Sequence, residues 1–154
     1  MLISSFFDID DVREILKILR EYDRKEVEAS GVEINPCFLD DYFHDLYNDT
    51  TRMLSGVNEA GQLLFICGLA ERYDLLYAWF LSSKYMKKKH FDIITPDFID
   101  ILNSYKNKTI SVSVWAEHKF SIKWMQDALG FSVSSDIMND KTGEFFLLLE
   151  RKCV

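Results

Sequence analysis

Between positions 84 and 90 the chain reads KYMKKKH, which puts Lys84, Lys87, Lys88, Lys89 and His90 within seven positions that hold no carboxylate. Ammonium groups at that density attract phosphate, so the chemistry they suit is holding an anion. The bland alternative for such a run is a solvated basic loop, and a third is contact with an acidic partner protein or DNA phosphate. Proton transfer needs other groups. Glu71, near the end of one apolar run, and Glu117 with His118, just after another, are the side chains placed to act as a general base. His118 can equally be an ordinary residue in the first turn of a helix, and Glu117 a cap. His44 sits among aromatics and His90 follows lysines, and neither has a second ligand at a metal-binding spacing. Nothing matches a P-loop, a nucleophile elbow or a zinc pattern.

The elements that would hold these groups follow from periodicity. LISSFF opens as a short strand, and Asp8 or Asp10 can cap a following helix. Val12, Ile15, Leu16 and Leu19 recur at three- and four-residue spacing, while Arg13, Lys17 and Arg20 look toward solvent. This helix is expected to continue through Val27 and stop near Gly31, with Arg24, Glu26 and Glu28 as a solvated face. After Pro36, the residues Phe38, Leu39, Tyr42, Phe43, Leu46 and Tyr47 mark a second helix. Strands are expected over 51–57, 62–70 and 75–81 as an antiparallel meander. Thr95, Pro96 and Asp97 then supply a capping hydroxyl, a proline at the first helical position and a carboxylate against the helix dipole, so a helix should start there and run to about Tyr105. Ile110, Val112 and Val114 alternate with serines in a strand over 109–115. A helix over 120–129 stops at Gly130, and a hairpin over 131–137 and 144–151 closes the chain. Trp79, Trp115 and Trp124, with Tyr77, Phe80 and Tyr85, either pack the core or line a cleft where strands part.

A chain of 154 residues with 48% hydrophobic and 14% aromatic content is enough for one core, so residues 1–154 are expected to form a single domain. The net charge of −7 argues against a general affinity for nucleic acid, whose binding depends on an excess of lysine and arginine. No apolar run approaches the roughly 20 residues of a membrane span, and the N-terminus lacks a basic leader, so a cytoplasmic location is expected. Cys37, Cys67 and Cys153 are too few and too scattered for a disulfide framework. Cys67 reads as a buried hydrophobe and Cys153 as an exposed thiol.

The order of elements, an α/β (α+β) mixed and mainly antiparallel sheet of six to seven strands with about four helices, resembles the GNAT acetyltransferase fold. The stretch VSVWAEHKFSIKWMQDALGF is similar to that family's late strand, helix and terminal Gly-Phe. More narrowly, DVREILKILREYDRKEVEASG, GQLLFICGL, YAWFLSS and SIKWMQDALGF resemble bacteriophage GNAT-like proteins, a group that includes the internal virion protein of short-tailed coliphages.

The GNAT resemblance implies acetyl-CoA as cofactor, its pyrophosphate wrapped by a glycine-rich turn after the fourth strand at a helix N-terminus. Here that turn reads SSKYMKKKHFDIITPDF, and no glycine occurs between Gly68 and Gly130. An altered site would draw on Leu81, Ser82, Ser83, the four lysines and the Thr95 helix start, with Glu71, Glu117 or His118 as base. The phage resemblance implies instead a protein acting through protein contacts in virion assembly, in ejection or in the infected cell, located in the host cytoplasm or in the particle. The missing glycines favour that second expectation.

Overall fold

The computed structural model describes residues 1–35 and 39–153; Pro36, Cys37 and Phe38 lie outside them. In chain order the elements are β1 (Leu2–Ser4), α1 (Ile9–Lys17), α2 (Glu21–Ala29), α3 (Asp41–Asp49), β2 (Thr50–Val57), β3 (Leu63–Arg72) and β4 (Leu75–Ser82). They continue with α4 (Lys88–Asn103), β5 (Thr109–Trp115), α5 (Lys119–Asp127), β6 (Ser132–Met138) and β7 (Phe145–Lys152). The seven strands form one sheet in the order β1-β2-β3-β4-β5-β7-β6, antiparallel throughout except between β4 and β5.

Alternation along β3 divides the interior. Ile66 joins the cluster built on Val12, Ile15 and Leu16 of α1, Val27 of α2 and Phe43 of α3. Phe65 and Cys67 join the cluster built on Phe91, Ile94, Phe98 and Leu102 of α4 with Trp124 and Met125 of α5.

Three expectations are corrected. The first helix does not run to Gly31. It stops at Lys17, and after a break at residues 18–20 the chain re-enters a helix at Glu21. In the break Leu19 forms an antiparallel bridge with Ser83, the Lys84 amide donates to the Ile18 carbonyl at 2.8 Å, and the Arg20 amide donates to the Ser82 carbonyl at 2.9 Å. Sheet-like bonds to the end of β4 replace the helical ones, so all these groups stay satisfied.

The second correction concerns α4, which starts at Lys88 and carries Pro96 inside it. The apolar stripe of Phe91, Ile94, Phe98 and Leu102 continues through the proline and holds the helix together. The hydrogen bond that Pro96 cannot donate falls on the exposed Asp92 side of the helix, where water can replace it. Third, Cys153 is buried, at 5% exposure, because its amide donates to the Lys108 carbonyl and its carbonyl accepts from the Asn107 amide. Cys67 is buried as expected.

The β3–β4 turn places both Tyr73 (φ 50°) and Asp74 (φ 66°) in the left-handed region, a conformation that asparagine and glycine adopt at far lower cost. Replacing Tyr73 and Asp74 by Asn and Gly should raise stability by about 1 kcal/mol in urea titrations, since left-handed backbone costs bulky residues about that much. No described helix is long and apolar enough to cross a membrane.

Candidate functional site

β4 and β5 are in register at only two positions, Leu76 opposite Ile110 and Tyr77 opposite Ser111. Beyond these the strands part, and backbone amides pointing into the gap lose their ladder partners. Side chains of α2 take them over. The Ser82 amide donates to Asp23 Oδ2 at 2.6 Å, as does the Ser82 hydroxyl, also at 2.6 Å. The Trp115 amide donates to Glu26 Oε2 at 2.8 Å. One helix thus presents a carboxylate to the end of each parting strand.

Around Asp23 lies a buried polar network. His118 Nε2 stands 3.0 Å from Asp23 Oδ1 and 3.1 Å from Ser121 Oγ, and Arg20 Nη2 donates to Asp23 Oδ1 at 3.0 Å. Asp23 is 3% exposed and His118 2%. Burial pushes the Asp23 carboxyl up, but the hydrogen bond to His118, the Arg20 guanidinium and the two donors of Ser82 outweigh it, so the group stays below the usual carboxylate range. Glu26 lacks so full a set. Burial pushes it up to about 7 against the opposing charge of His118 and the Trp115 amide, and the neighbouring Asp23 adds to the rise. Two buried nitrogens, Arg20 Nε and His118 Nδ1, have no hydrogen-bond partner among the described residues.

The Arg20 guanidinium also packs against two aromatic rings, 5.2 Å from the Phe91 centroid and 5.6 Å from that of Phe120. Those rings belong to the first turns of α4 and α5 and lie 4.9 Å apart, so Arg20 packs beside both helix starts.

Acetyl-CoA, which the resemblance implies, would need free amides in the turn after β4, and from Ser82 through Lys87 none is free. Ser82 N is held by Asp23, Ser83 N by the Leu64 carbonyl at 2.8 Å and Lys84 N by Ile18. Tyr85 N donates to Ser83 Oγ at 3.2 Å, Met86 N to the Ser83 carbonyl at 3.0 Å and Lys87 N to His90 Nδ1 at 2.9 Å. Every amide from Ser82 through Lys87 is engaged within the protein, which leaves a pyrophosphate the first amides of α4, those of Lys88 and Lys89.

The residues expected from sequence are dispersed. Ser82 and Ser83 are fully buried, and Leu81 packs against α1 and α2 in the core. Lys84, Lys87, Lys88 and Lys89 are exposed around the start of α4. Thr95 is mid-helix, its hydroxyl donating to the Phe91 carbonyl at 2.6 Å and accepting from Trp124 Nε1 at 3.1 Å, so it presents no helix-start amides. Glu71 is exposed opposite Leu76 on β3, outside the cleft lining, and Glu117 is exposed in the turn before α5. Of the three acid-base candidates, His118 alone reaches the cleft.

Arg20 and Glu26, read from sequence as facing solvent, are instead central, together with Asp23. A signal was present. The stripe of Val12, Leu16 and Leu19, extended by the same spacing, passes through Asp23 and Glu26, which places polar side chains on an apolar face.

The gap between β4 and β5 opens into a cavity of about 620 Å³ walled by Asp23, Glu26, Val27, Phe43, Trp79, Phe80 and Val112, with the exposed Tyr42, Tyr73 and Tyr77 also on its lining. Of the tryptophans, Trp79 and Trp124 both pack and line this cleft. A carboxyl with a pKa of about 7 in such a place can receive an ammonium group or take a proton from one. Among the described residues no cluster of His, Cys, Asp and Glu is arranged for a metal.

No family model matches the sequence, and no curated protein matches it. Solved structures do match along nearly its whole length. The smu.2055 protein of Streptococcus mutans UA159 superposes with a TM-score of 0.70 at 12% identity, covering 99% of both chains. A GNAT superfamily phosphinothricin acetyltransferase from Sinorhizobium meliloti, solved with AcCoA, gives 0.70 at 13% identity over 97% of this chain and 86% of that one. The ribosomal-protein-S18-alanine N-acetyltransferase of Escherichia coli gives 0.68 at 11% identity, over 97% and 91%. The mixed, mostly antiparallel sheet of seven strands with five helices seen among the described residues therefore has the GNAT acetyltransferase fold.

Proposed function

We propose that this chain is a GNAT-fold protein that works by binding rather than by acyl transfer, receiving an amine of a partner protein in the cleft between β4 and β5. The observation that carries the reading is the engaged turn. The amides of residues 82–87 are all bonded internally and Arg20 packs on Phe91 and Phe120, so this stretch offers a coenzyme no free backbone donor. The cleft itself is open, and Glu26 on its wall, once ionised, gives it the sign of charge that suits an ammonium group. The resemblance to phage virion proteins supports a phage-encoded role in particle assembly or ejection, in the host cytoplasm or within the particle.

A second reading, an amine N-acyltransferase using acetyl-CoA, draws on Glu26, whose pKa of about 7 suits a general base. It also draws on the fold shared with acetyltransferases. In that case Lys87, Lys88 and Lys89 would attract the phosphates.

Calorimetry with acetyl-CoA separates the two. No heat of binding is expected at millimolar coenzyme, whereas micromolar affinity would overturn the binding-only reading. If the coenzyme does bind, changing the three lysines together to alanine should weaken it.

A further inference from the structure

We infer that the face of the sheet covered by α4 and α5 carries a site for a short-chain fatty carboxylate: the tail fills an apolar cavity beneath α4, and the carboxylate pairs with Arg52 at its edge. The site lies beyond the proposed function and does not rest on it.

The cavity follows from the register of three strands. Arg52 of β2, Leu69 of β3 and Ala78 of β4 stand side by side, as do Leu54, Cys67 and Phe80, and neighbours in register present their side chains to the same face. Alanine is the small member of the first row, and along β4 it is flanked on that face by Leu76 and Phe80. Phe98 and Leu102 of α4 and Met125 of α5 cover these rows without filling the gap, and a cavity of about 70 Å³ remains. A water molecule needs only about 10 to 15 Å³, but walls that are almost wholly apolar would leave it without partners. Empty apolar space costs stability in proportion to its volume, and a hydrocarbon chain is the guest that recovers the lost contacts. Met53 and Met125, flexible side chains on the wall, can adapt to its length.

Arg52 gives the guest its polarity. Among the described residues it is the single charged and the single exposed side chain on these walls. Arg13, Arg20, Arg24, Arg72 and Arg151 each have a carboxylate or amide partner, whereas the Arg52 guanidinium has no partner among the described residues. A planar guanidinium with its donors free matches a carboxylate through two parallel hydrogen bonds. Cys67 takes no covalent part, because burial pushes its thiol well up and keeps it protonated.

The test titrates hexanoate into the full-length protein, with hexanol as its uncharged counterpart and hexylamine as its cationic one. Binding is read by calorimetry and by methyl NMR of the methionines, since Met53 and Met125 line the cavity and Met1 and Met138 do not. Hexanoate should shift Met53 and Met125 and bind about tenfold or more tightly than hexanol, the gain expected for one charge-assisted hydrogen bond. Arg52→Gln, a change at an exposed position, should erase that advantage and leave hexanol binding as it was. Ala78→Leu fills the gap from the sheet and should abolish binding of both. A cooperative thermal transition is required of it, and Leu102→Phe, which fills the gap from α4, replaces it if it does not fold.

Equal affinity for hexanoate and hexanol would reveal an apolar void only and overturn the inference. So would an advantage of hexanoate that survives in Arg52→Gln, tighter binding of hexylamine, shifts confined to Met1 or Met138, or no binding at millimolar hexanoate.

Discussion

Replacing Glu26 by glutamine should make the protein more stable at pH 8 and leave its stability at pH 5 nearly unchanged. Glutamine keeps an oxygen for the Trp115 amide but cannot ionise. The glutamate's pKa rises on folding from 4.5 to about 7, so the folded state holds its proton more tightly than the unfolded chain. Below about 4.5 both states are protonated and the carboxyl costs nothing. As pH climbs through the window to about 7, stability is lost, and above it the full penalty of an ionised, largely buried carboxylate remains. The shift corresponds to about 2 kcal/mol once partial solvent screening is allowed for. For a domain of this length that is a rise of about 4 to 8 °C in the midpoint of thermal unfolding. Differential scanning calorimetry of both proteins at pH 5 and pH 8 checks it, and a glutamine variant that is less stable at pH 8 would contradict the assigned environment.

The same substitution should impair the cleft. Binding of Nα-acetyl-lysinamide, a probe for a lysine side chain, should strengthen in the parent as pH rises from 6 to 8 and Glu26 ionises. That pH dependence should be absent in Glu26→Gln. Stability gained with function lost is the signature of a group kept for binding rather than for folding.

The largest loss of stability is expected at Phe91. Its ring is 2% exposed and lies 5.0 Å from Trp124, 4.9 Å from Phe120 and 5.7 Å from Phe80, with the Arg20 guanidinium against it. Truncation to alanine removes a large apolar side chain and several ring contacts at once, and should cost about 3 to 5 kcal/mol. Urea denaturation reads this as a lower midpoint at unchanged slope. A loss under about 1 kcal/mol would mean that the cluster repacks, contrary to the dense interior expected here. Phe91→Leu, which preserves most of the volume but no ring face, should cost less and report how much Arg20 depends on the aromatic surface.

Much of the fold was legible in the chain. The alternation of Ile110, Val112 and Val114 located β5, and the meander over 51–81 located β2 to β4. Gly130 marked the end of α5 with a φ of 74°. Local signals misled where tertiary packing outweighed them. Thr95 and Pro96 carry every mark of a helix start, yet the stripe from Phe91 to Leu102 buries enough apolar surface to extend the helix seven residues upstream of Thr95. The stripe from Val12 to Leu19 gave no warning of the break after Lys17, because the bonds that replace the helical ones come from Ser82 and Lys84, more than sixty residues away.

By itself the sequence determined the layers of this protein, through the periods at which apolar residues recur, and the absence of phosphate-binding glycines after β4. Where the site lies was decided only in three dimensions. Asp23, Ser82 and His118 are distant along the chain, and nothing local brings them together. They meet because two strands that pair at only two positions leave amides without partners, and α2 crosses at the height where its carboxylates can accept them.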